Sequence, residues 1–75
     1  MKSVAINIFI PDDEIDNAKE LLFLIKCNPN VLEYSHDFEQ GGHIVTVNAT
    51  SAEAIRSILK KLKTKSPKAK KLVHL

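Results

Sequence analysis

A chain of 75 residues, 44% hydrophobic and 27% charged, has room for one small domain over residues 1–75, with the composition of a globular and not a disordered protein. A single cysteine, Cys27, excludes an intramolecular disulfide and points to a reducing, cytoplasmic setting, since secreted chains of this size usually carry several cysteines. No apolar run approaches the roughly 20 residues of a membrane helix, and Asn7 and Pro11 interrupt the N-terminal run before a signal-peptide core could form, so a soluble protein without membrane contact is expected.

The net charge of +2 hides an asymmetry. Residues 1–59 hold four basic groups against all nine acidic ones, a balance of −5, and residues 60–75 hold seven lysines. Lys60, Lys61, Lys63 and Lys65 are therefore candidate anion contacts. The competing reading is structural: lysines closing a helix suit its negative C-terminal dipole.

Residues 3–10 alternate, with Val4, Ile6, Ile8 and Ile10 on one side and Ala5, Asn7 and Phe9 on the other, the period of a half-buried strand. Pro11 ends it. Asp12 is placed to cap the helix that follows, with Asp13, Glu14 and Asp16 adding negative charge to its first turn. Ile15, Ala18, Leu21, Leu22 and Ile25 form its apolar stripe, and Asn28-Pro29-Asn30 breaks it near Cys27.

Residues 31–39 and 43–49 read as two strands joined by a primed turn at Gly41-Gly42. That loop pairs Phe38 with Val45, His36 with Val47 and Tyr34 with Ala49, which puts both apolar rows on one side. Thr50 and Glu53 form a capping box for a second helix with Ile55, Ile58, Leu59 and Leu62 on its apolar face. A lysine-rich connection over residues 64–71 then leads to a last strand at 72–75. The order strand, helix, strand, strand, helix, strand predicts an α+β, ferredoxin-like βαββαβ sandwich, in which two helices cover one face of a four-stranded antiparallel sheet.

The chemistry searched for is mostly missing. Metal binding needs converging imidazole, thiolate or carboxylate ligands. In the Gly41-Gly42 register His43 lies two rows from His36, too far to share an ion, so His36 reads as structural and Cys27 as a plain thiol. No nucleophile sits beside a base, so the chain is not expected to be an enzyme, and no cofactor or metal is assigned. With one aromatic, Phe9, on the open sheet face and an acidic edge of Glu33, Asp37 and Glu39, nucleic acid is disfavoured.

Two families are similar in pattern. Asn30-Val31, the hairpin, the helix from Ala54-Ile55 to Leu62 and the closing Lys70-Lys71-Leu72-Val73 resemble the later half of the heavy-metal-associated domain. That family binds metal through a Met-x-Cys-x-x-Cys loop after its first strand. Residues 11–17 here lack both residue types, so the resemblance implies a degenerate, protein-binding member. Residues 44–55, Ile-Val-Thr-Val-Asn-Ala-Thr-Ser-Ala-Glu-Ala-Ile, resemble the third strand and second helix of the ACT domain, which implies a small-ligand regulator. Its ligand site generally uses a glycine where this chain has Asp12-Asp13-Glu14.

The expected function is a non-catalytic interaction module for a protein partner or a second copy of itself, with an ACT-like regulator and a metal-handling or nucleic-acid-binding module as alternatives. Two contact surfaces are candidates. One is the open sheet face, where Phe9 should neighbour Ile44, with Thr46 beside them. The other is Phe23, Leu24 and Cys27, which the stripe of the first helix leaves pointing away from the core. The sheet face is slightly preferred.

Overall fold

The alternation at the N-terminus and the two apolar helical stripes are realised in the computed structural model, which describes residues 3–72. The elements are β1 (Val4–Pro11), α1 (Ile15–Lys26), β2 (Val31–Glu39), β3 (Gly42–Ala49), α2 (Ala52–Lys65) and β4 (Lys70–Leu72). The strands form one antiparallel sheet in the order β2-β3-β1-β4, so the fold is α+β with a four-stranded sheet and two helices. Ile6, Ile8 and Ile10 of β1 and Val45, Val47 and Ala49 of β3 join Ala18, Leu22 and Ile25 of α1 and Ile55, Ile58 and Leu62 of α2 in one buried cluster. Burying each of the larger side chains contributes about 1.5–3 kcal/mol. None of the described helices is long and apolar enough to cross a membrane.

Several local expectations are corrected. The residue flanking α1 is Glu14, with no side-chain cap bond. Asp12 does not cap the helix because residues 12–14 form a turn whose carboxylates are engaged elsewhere: Asp12 with His43, Asp13 with Lys68 and Glu14 with Ser66. Ser51, not Thr50, caps α2, its hydroxyl accepting from the Ala54 amide at 3.1 Å. Thr50 is instead tied back through its own amide to the Asn30 carbonyl at 2.9 Å. The second helix runs on to Lys65, and β4 begins at Lys70, two residues before the expected strand. The rest of that strand, Val73, His74 and Leu75, lies outside the described residues.

The hairpin register is corrected by two residues. Glu39 pairs with Gly42, Phe38 with His43, His36 with Val45 and Tyr34 with Val47, so the turn is Gln40-Gly41. Of these two turn residues only Gly41 has a positive φ, +82°, where a primed turn would need one at its first central residue. The reason lies in Gly42. A Cβ built there would stand 2.5 Å from both the Ile10 carbonyl oxygen and Phe9 Cζ, so the ring of Phe9 fills the place a side chain would take. Gly42 therefore belongs to the strand, and Gly41 alone is left for the turn. An offset of two keeps every side chain on its expected face.

Candidate functional site

Along β2 the two faces differ in kind. Glu33, Ser35, Asp37 and Glu39 share the open face of the sheet with Asn48, Thr46, Ile44 and Gly42 of β3, whereas Tyr34, His36 and Phe38 turn to the helix side with Val47, Val45 and His43. The core ends before this helix-side row does. Tyr34 is half-buried, but Phe38 is 83% exposed, and across from it on α1 Phe23 is 64% exposed. The two aromatics line one groove of about 560 Å³, together with Leu22, Tyr34, His36 and His43. Exposed single apolar residues are ordinary, but here two aromatics on different elements line the same cleft.

The end of this groove is a connected set of rings. Phe38 lies 5.0 Å from His43 and 5.7 Å from His36 between ring centroids. The Nε2 of His36 and the Nδ1 of His43 are 2.8 Å apart, and His43 Nε2 stands 3.2 Å from Asp12 Oδ1. With both rings neutral, donation from His43 Nε2 to the Asp12 carboxylate leaves the Nδ1 of His43 to accept the Nε2–H of His36. The two histidines are therefore not separated as the sequence register implied. The same shift of two that moved Phe38 onto His43 brought His36 diagonally beside it.

Burial, and then the neighbouring His43, lower the pKa of His36 below the ordinary imidazole value, with Asp37 acting in the opposite direction. Asp12, Lys19 and Lys26 are the other charged groups around the pair. A lowered native pKa means the unfolded chain binds more protons in that window, so this group's contribution to stability is present above the unfolded value and is lost as pH falls through the native one. A proton NMR titration should give His36 a midpoint below that of a free imidazole, and Asp37→Asn should move it lower still. A midpoint at or above the free value would contradict the ring geometry.

The other sequence-predicted residues separate. Phe9 is opposite Ile44, as expected, and both are half-buried, as is Thr46, which lies opposite Asn7. Phe9 is largely occupied in covering Gly42. Thr46 lines a shallow depression with Ala5, Glu33 and Asn48. Phe23 and Leu24 line different clefts: Phe23 faces β2, while Leu24 lines a cleft of about 440 Å³ toward α2. Cys27 is exposed. Lys60, Lys61, Lys63 and Lys65 are all exposed on α2 and fan around it, with Lys61 in the Leu24 cleft. Sequence reasoning missed Phe38, His36 and His43 as neighbours, because only the correct turn residue would have placed them together.

Among the described residues, no group of three or more histidine, cysteine or acidic side chains could hold a metal ion. No family model matches the chain, and no curated protein is significantly similar to it.

Proposed function

We propose that this chain is a non-catalytic interaction module of ferredoxin-like build that recognises another polypeptide through the groove between α1 and β2. The element order, and an antiparallel sheet in which β3 lies between β2 and β1, support the split βαβ reading. The observation that carries the function is the exposure of Phe38 and Phe23 on opposite walls of one groove, since aromatic anchors in a cleft are what protein interfaces use most. The open sheet face, the surface slightly preferred on sequence grounds, is the weaker choice because its one aromatic already serves the fold.

The test is a photo-crosslinking residue placed at position 38, with a second at exposed Arg56 on α2 as control, in wild-type and Phe23→Asp backgrounds. A polypeptide captured from position 38, absent from position 56 and lost with Phe23→Asp is expected. A partner retained by Phe23→Asp and by Phe38→Asp, both shown to be folded, would remove the groove from consideration. Light scattering on the same proteins reports whether the captured chain is a second copy.

A further inference from the structure

We infer that the partner enters as an extended segment that adds a fifth strand to the outer edge of β2, and that this segment alternates basic with apolar side chains. The inference rests on the groove reading above and specifies its occupant. Among the described residues no strand pairs with the outer side of β2, so an edge strand of nine residues presents unpaired amide and carbonyl groups next to the groove. An added strand gains main-chain hydrogen bonds and places alternate side chains on the two faces of the sheet.

Those faces dictate the sequence of the guest. On the helix side its side chains lie beside Tyr34, His36 and Phe38, where apolar groups fit. On the open side they lie beside Glu33, Ser35, Asp37 and Glu39. Among the described residues none of these three acids has an ion-pair partner, and only Glu33 has a hydrogen bond, a long one of 3.5 Å from Asn48. Opposite charges on neighbouring strands are favourable and like charges are not. The usable edge is residues 33–39, because Leu32 bulges out of register between Val31 and Glu33.

The same row argues against a second copy pairing β2 to β2. A two-fold axis normal to the sheet keeps open face beside open face, and every such register that overlaps five or more of residues 33–39 sets an acid against an acid: Glu33 against Glu39, Glu33 against Asp37, or Asp37 against itself. Acidic side chains on an edge are a known guard against self-pairing. They block an identical strand and admit a basic one.

The probe is a seven-residue capped peptide alternating lysine and valine, compared with one alternating glutamate and valine, and with a lysine-valine peptide N-methylated on alternate amides. Affinity is read by NMR titration, and strand addition by hydrogen exchange of the β2 amides. Expected is slowed exchange confined to residues 33–39 with the basic peptide. Its binding should be on the order of tenfold tighter than that of the acidic peptide, weaken with salt, and be lost to whichever methylated frame blocks the edge. Glu33→Lys with Asp37→Lys should reverse the preference between the two charged peptides. No protection with the basic peptide, equal binding of both charges, or protection away from β2 would overturn the inference. So would concentration-dependent protection of β2 without peptide, which would assign the edge to a second copy through its basic β4. If these fail while position 38 still captures a partner that Phe23→Asp loses, the strand-addition inference falls and the groove reading stands. Peptide protection of β2 that is indifferent to Phe23→Asp and Phe38→Asp would do the opposite, keeping the added strand and removing the groove.

Discussion

Gly42→Ala should lower the stability of the domain by about 2–3 kcal/mol, read as a fall in the denaturant midpoint at unchanged slope. The new methyl would stand 2.5 Å from the Ile10 carbonyl oxygen and 2.5 Å from Phe9 Cζ. The ring can swing aside, but the carbonyl is fixed in the β1 ladder, where Ile10 pairs with His43 and Pro11 with Gly42. Removing the ring by Phe9→Ala should therefore relieve only part of the penalty. For a chain of this length, total stability is roughly 4–11 kcal/mol, so the loss is a large share of it. Gly41→Ala is the informative contrast. It meets no atom within 4 Å but has a φ of +82°, and should lose about 1–2 kcal/mol through backbone strain alone. If the order were inverted, with Gly41 the more sensitive, the assignment of turn and strand glycines would be wrong.

These two glycines also show where the sequence stops being legible. Hydrophobic period placed the core faces of β1, β3 and α2: Ile6, Ile8 and Ile10 in β1, Val45 and Val47 in β3, and Ile55, Ile58 and Leu62 in α2 are all buried. Period cannot tell which glycine of a pair turns, because the deciding contact, the Phe9 ring over Gly42, comes from a strand thirty-odd residues away in sequence. A shift of two leaves the burial pattern untouched and moves every cross-strand neighbour. That is why the core was readable while the His36–His43 pair and its junction with Phe38 were not. The caps follow the same logic. Asp12 has the right side chain for a cap, but its neighbours Asp13 and Glu14 are drawn to the α2–β4 connection, and no local rule weighs that attraction.

For the candidate site, sequence supplied Phe23 as an exposed aromatic but not its counterpart. Phe38 belongs by alternation to the inward row of β2 and so reads as core. It is exposed because the hairpin carries it past the reach of the helix stripe, where Leu22 is buried and Phe23 is not. Exposure of an inward-facing residue is a property of how far two elements overlap, and overlap is set by tertiary packing. The acidic row of β2, by contrast, is legible from alternation alone, and it is the feature that limits what can dock on this edge.

The acidic turn before α1 supplies the second large effect. Ser66 is fully buried and its hydroxyl donates to Glu14 Oε1 at 2.5 Å, while the Lys68 amide donates to the same oxygen at 2.9 Å and Lys68 Nζ reaches Asp13 Oδ2 at 3.0 Å. One carboxylate thus holds the segment between α2 and β4 against the start of α1. Glu14→Ala would leave the Ser66 hydroxyl buried without its acceptor and should destabilise by about 2–3 kcal/mol; Ser66→Ala, which removes the donor and leaves Glu14 access to solvent, should lose about 1.5–2 kcal/mol. In a double-mutant cycle the pair should couple by about 1–2 kcal/mol, so that the double variant is little worse than Glu14→Ala alone. The Lys68–Asp13 contact is exposed and should add little. Hydrogen exchange separates this role from helix capping: loss of a cap would accelerate exchange in the first turn of α1, whereas loss of the tie should accelerate it in residues 66–72. Additive effects of the two substitutions, or fraying confined to α1, would return Glu14 to the capping role that its position before the helix suggests.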